Sequence, residues 1–258
     1  MFDLPQLAAM SLSAAVSLGL PVALAVLWRR RTRAPLSAAA AGAAMFFLSA
    51  LVLEQLLHLL VLRPGGFVLR HTWAYVLYGA LAAGVFEETG RWMGFRFLLK
   101  KQEGRETAVQ YGIGHGGIEA MLLGGIPAVS SLAAALLYNA GALTGDLLAA
   151  VPAALAAPAP SFLTVGAERT VTVCFHIALS VLVFQAVKRP GRGWLYPAAI
   201  ALHAGVDVFA ALYQRSVLAI WPSELLMALC TAAVCAWAFH LYRTDVPADS
   251  RQVSAVVH

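Results

Sequence analysis

Apolar positions fall in long runs broken by short polar stretches, and each run is long enough to cross a bilayer. About 20 residues rising 1.5 Å each span a hydrocarbon core of roughly 30 Å. Such runs cover approximately residues 4–28, 36–62, 71–99, 107–125, 162–187, 194–215 and 216–242. The breaks alternate in charge. Arg29, Arg30, Arg31 and Arg33 follow the first run, Lys100 and Lys101 the third, Lys188, Arg189 and Arg192 the fifth, and Arg243 the last. Basic loops stay in the cytoplasm, so the pattern predicts an external N-terminus and a cytoplasmic C-terminus. Pro64-Gly65-Gly66 then forms an external turn. From Pro127 to Pro160 the chain is rich in Ala and Pro and carries Asn139 and Asp146. The parity set by the basic loops lets this stretch span twice or not at all, and an external or re-entrant helix is expected. The predicted fold is all-α: a polytopic transmembrane helical bundle of about seven spans plus one external or re-entrant segment. It forms a single integral membrane domain, with a core of about residues 72–215.

Composition adds little to this picture and excludes one class. Of 258 residues, 60% are hydrophobic and 12% charged, so no soluble domain stands apart. A net charge of +5 would suit nucleic acid, but the basic residues sit at the ends of apolar runs, where they report topology. The expected partners are the lipid bilayer and a membrane protein or peptide, not nucleic acid. Cys174, Cys230 and Cys235 lie inside apolar runs without metal-finger spacing and read as free thiols. No basic residue precedes the first run, the reverse of a cleavable signal peptide.

Ionisable residues inside the runs break the pattern. Glu87 and Glu88 lie roughly 24 Å along the third run, with Arg91 one turn further, where one buried charge alone costs about 2.5–3.5 kcal/mol. Intramembrane ionisable groups point to function and call for a partner. Arg91 is one turn from both carboxylates and reaches either. His115 and Glu119 form a second pair at i,i+4, within Gly112-Ile113-Gly114-His115-Gly116-Gly117-Ile118-Glu119-Ala120. The fifth run places Arg169, His176 and Ser180 on one face, and the sixth pairs His203 with Asp207. Glu54 with His58 has the same spacing and reads as structural or supporting. Facing one cavity, these groups would activate water: a glutamate takes its proton, a histidine serves the leaving amine, and another donor holds the oxyanion.

The ordered set Glu87-Glu88-x-x-Arg91, Gly-x-Gly-His115-Gly-Gly-x-Glu119-Ala, Glu168-Arg169 ahead of His176, and His203-x-x-x-Asp207 resembles the YhfC family of intramembrane proteases. That family is similar to the wider group of CAAX prenyl endopeptidases, bacteriocin-processing and PrsW-type proteases. The resemblance covers about residues 86–207 and implies a CAAX-protease-like core and a glutamate-type intramembrane endopeptidase of a bacterial cell membrane. By analogy Glu87 or Glu88 activates water, Arg91 orients the carboxylates, and His203 with its partner serves the oxyanion. Three departures bear on this. The CAAX enzymes space Glu-Glu and Arg one residue further apart. Their Phe-x-x-x-His is His115-x-x-x-Glu119 here, which makes Glu119 a possible second acid and leaves the imidazole to His115 or His176. Their last Asn is Asp207, which suits orienting His203 better than donating to an oxyanion.

No cofactor is expected on that mechanism. Zinc is the alternative, with His115, Glu119, His176 and His203 as its ligands and Asp207 as a further oxygen donor. There is no His-Glu-x-x-His. A proton-coupled transporter using the same groups as a relay is the reading from another class; the inverted repeats that favour it are not seen.

Overall fold

A computed structural model describes residues 1–144 and 147–245, all of them helix, turn or connecting loop. Asp146 lies outside the described residues. The first helix, α1 (Leu4–Thr32), starts on a capping box in which Asp3 and Gln6 satisfy each other's backbone amides. The second long helix is continuous but changes pitch: α2 (Leu36–Phe46), a π-helical stretch Phe47–Glu54, then α3 (Gln55–Val61). A short α4 (Phe67–Arg70) leads into α5 (Thr72–Met93), which runs on through a π-helical Gly94–Leu98.

The next element departs from expectation. The helix predicted to end near residue 125 continues, as α6 (Glu106–Glu119), a π-helical Ala120–Gly125 and α7 (Ile126–Asn139). Pro127 does not end it: it follows directly on the π-helical Ala120–Gly125, where the backbone hydrogen-bond register already shifts. The combined helix has 34 residues and is about 50 Å long, well beyond a bilayer core. The non-spanning helix expected between residues 127 and 160 is therefore shorter, α8 (Leu147–Ala156), ten residues packed beside α1 and α7. The chain finishes with α9 (Ala159–Lys188), α10 (Leu195–Gln214) and α11 (Ile220–Arg243). Among the described residues, six helices are long and apolar enough to cross a membrane. With α5, whose carboxylates lower its apolarity, they make seven long helices in a polytopic all-α bundle.

The basic ends gather on one face. There the Trp28 indole donates to the Glu106 carbonyl, Lys188 to the carbonyls of Leu99 and Lys100, and Arg105 to that of Tyr242. Arg189 grips Asp245 through Nε and Nη2, at 2.7 and 2.8 Å. On the opposite face Asn139 exchanges two hydrogen bonds with the Phe2 backbone, and Tyr75 donates to Gln214.

Glycine lets the helices touch. A Cβ at Gly114 would overlap backbone atoms of Ala39, so α2 and α6 meet main chain to main chain. Gly114→Ala is expected to push α2 away and to lower stability by about 1–3 kcal/mol, the range for overpacking. The shift would be read from thermal unfolding in detergent.

Candidate active site

Four helices bring the polar residues together. α5 packs along α10, and α6 packs along α9. At the second seam a Cβ on Gly112 would stand 2.5 Å from the Ile177 Cα, so the glycine is what brings α6 this close to the His176 turn.

Arg91 is the hub, fully buried at 0% exposure. Its Nη1 donates to the His176 carbonyl at 2.7 Å and to the Ser180 hydroxyl at 2.5 Å. Its Nη2 donates to His176 Nδ1 at 2.9 Å. Guanidinium has only donors, so His176 Nδ1 accepts, and the hydrogen of the neutral ring sits on Nε2. That nitrogen lies 2.5 Å from a Glu119 oxygen, and Arg91 Nε lies 2.9 Å from a Glu88 oxygen. Both are charge contacts in distance, without the alignment of a straight hydrogen bond. Arg169 Nη1 donates to the other Glu119 oxygen at 2.9 Å and also pairs with Glu168.

The paired glutamates part company. Glu88 is sealed, one oxygen at Arg91 and the other accepting from His203 Nδ1 at 2.7 Å. Glu87 turns the other way. Its Oε2 is 3.0 Å from His115 Nε2 and 4.0 Å from His176 Nδ1, and its Oε1 is 3.9 Å from His203 Nε2. His203 Nε2 also faces Asp207, 3.4 Å away. His115 is wholly buried against the edge of the Phe46 ring, and its Nδ1 has no partner among the described residues.

A chamber of about 450 Å³ reaches this cluster. Glu87, Glu119, His176, His203 and Asp207 line it, with Glu88, Arg91 and His115 behind them. All eight sequence candidates thus fall in one connected network. Glu119 does not pair with His115, its neighbour one turn away, but with His176 and Arg169 on α9. Glu54 and His58 stand 3.3 Å apart, and His58 forms part of the chamber wall. Sequence alone assigned no role to Arg169, which fixes Glu119, and passed over Glu224 on α11, which also lines the chamber. A lone acid in an apolar helix was the signal for Glu224.

Glu87, His115 and His176 each offer a ligand atom, all within 4.8 Å of one another. Two imidazoles and a carboxylate are a catalytic zinc donor set, and the Glu119 contact with His176 is the kind of outer support that orients a ligand histidine. In residue type the donor set fits zinc, and His176 would ligate through Nδ1 only on giving up its hydrogen bond from Arg91. It differs from the set expected from sequence: Glu87 is in it, while Glu119 and His203 stand beside it.

Comparison with known proteins identifies the family. The family model described as YhfC intramembrane metalloprotease matches residues 16–227. The "Uncharacterized membrane protein YhfC" of Bacillus subtilis (strain 168) is 34% identical over 242 residues, covering 88% of this chain and 93% of that protein. No solved structure matches the chain. A match over most of the sequence, with a relative of this identity and coverage, places the chain in the YhfC intramembrane metalloprotease family.

Proposed function

We propose that this protein is a metal-dependent intramembrane endopeptidase that cuts a membrane protein or peptide. The observation that carries the reading is the convergence of Glu87, His115 and His176 beside a chamber within the bundle. These residues would hold a zinc ion, which supplies a Lewis acid and lowers the pKa of its bound water to about 7. Arg169 and Glu119 hold the His176 ring from one side and Arg91 from the other. Glu88, anchored by Arg91, keeps the hydrogen of His203 on Nδ1. His203 Nε2 and Asp207 then face the chamber together: Nε2 is placed to accept a proton from the attacking water, as an imidazolium paired with Asp207, and to pass that proton to the leaving amine. The gathered basic ends support a cytoplasmic face there, with the N-terminus outside.

One observation favours a second reading, the metal-free mechanism in which Glu87 takes the proton from water. Arg91 Nη2 occupies the lone pair of His176 Nδ1, the nitrogen 4.0 Å from Glu87. Metal content separates the two. The purified full chain is expected to carry zinc by mass spectrometry, and Glu87→Gln and His115→Ala are expected to lose it. Chelation should abolish new protein termini when the chain is reconstituted with native membranes. Undiminished cleavage by metal-free protein would establish the glutamate mechanism.

A further inference from the structure

The chamber walls are closed helix against helix except on one side. α5 lies on α10, α10 on α11, α11 on α9, and α9 on Ala120–Gly125. His58 Nδ1 and the Tyr78 hydroxyl, 2.8 Å apart, tie α3 to α5. Contact between α3 and either Ala120–Gly125 or α7 would complete the ring, but among the described residues no packing interface joins them. α7 packs on α1 instead, and no residue of α3 is buried.

The same two stretches of chain touch nearer the basic face. Backbone meets backbone there, with Gly42 against Tyr111 and His115, and Gly114 against Ala39. They separate at the π-helical Phe47–Glu54 and Ala120–Gly125, where the wider turns re-aim each helix. The result is a V with Phe46 and His115 at its base, their rings 5.2 Å apart. Leu123 on one arm is 52% exposed yet lines the same chamber as Glu87 and Glu119. His58 and Leu62 line it from the other arm. The chamber is therefore continuous with the bilayer through the V.

The lips of the V name the visitor. Leu56, Leu59 and Leu60 on one arm and Ile126 and Val129 on the other are exposed, a rim suited to an apolar surface. A chain in hydrocarbon must satisfy its own backbone, so it arrives as a helix. Past the rim, His58, Glu119 and Asp207 line the chamber and can receive backbone released from that helix. We propose that the V between α3 and α7 admits one apolar membrane-spanning helix of a substrate protein from the bilayer and leads it to Glu87. This rests on the intramembrane peptidase reading.

The test uses the full chain carrying Glu87→Gln in liposomes, so that nothing is consumed. A photoreactive benzophenone side chain replaces Leu62 or Leu123 at the V, or Leu81 or Leu225 on other exposed faces. The probe is a fluorescent Leu/Ala peptide of about 20 residues flanked by lysines, one bilayer long. Peptide adducts are expected several-fold more often at positions 62 and 123, and unlabelled peptide should compete them away. Equal adducts at all four positions would overturn the proposal, as would lipid adducts alone at 62 and 123. The unsubstituted chain keeps the two readings apart. Hydrolysis of the peptide with equal adducts refutes the V and leaves the peptidase. Enriched adducts uphold the V whether or not this peptide is hydrolysed, and new protein termini mapped in native membranes then decide the peptidase separately.

Discussion

Replacing Glu87 with glutamine is expected to lower peptide cleavage by about 10²–10⁴-fold, the contribution of a positioned proton-transfer group. The loss holds on either mechanism, because the same carboxylate is a zinc ligand in one and the base in the other. The informative comparison is with Glu88→Gln. Glu88 lies behind the chamber wall, so its amide disturbs His203 without removing a group that faces the substrate. Its activity loss should be the smaller of the two. Mapping new protein termini by mass spectrometry, with each variant reconstituted in native membranes, gives the ranking. Greater loss in Glu88→Gln would reverse the assignment.

Arg91→Met is expected to be the most destabilising single change in the site, by about 3–5 kcal/mol, the cost of stranding one partner of a buried ion pair. It leaves the Glu88 carboxylate at 0% exposure with only His203 beside it, and strips the donors from the His176 carbonyl and Ser180. Adding Glu88→Gln removes the stranded charge, so the double variant should recover part of the loss. Unfolding midpoints in detergent for the two single variants and the double variant give the coupling directly. Additive losses would show that Arg91 and Glu88 act separately.

Much of this was legible in the sequence, for identifiable reasons. Hydrophobic runs and basic breaks report bilayer physics, which acts on composition more than on detail, so the long helices were recoverable. The polar set was legible because carboxylates and imidazoles in apolar helices are costly. What escaped depends on rotation and neighbours. Successive helical residues point about 100° apart, so Glu87 and Glu88 cannot share a direction. Only the packing of α5 against α10 decides which one meets the chamber. The spacing of His115 and Glu119 predicted a pair, yet Arg169 offers Glu119 a full positive charge from across the α6–α9 seam. That the run expected to stop near residue 125 continues through Pro127 was not legible, because the π-helical turn before it is visible only in the structure.

The helix running without a break from Glu106 to Asn139 has a mechanical consequence. It carries the imidazole of His115 on one arm and the contact with Phe2 at the end of the other, with the π-helical Ala120–Gly125 between them. That wider turn begins one residue after Glu119, so a push on the far arm acts first on the turn that carries this carboxylate. Whatever leans on α7 also alters the alignment of His115 and Glu119, so the energy of seating a chain is available for assembling the reactive geometry. Such an enzyme would tell its substrates apart by how fast it cuts them, with little difference in how tightly it holds them.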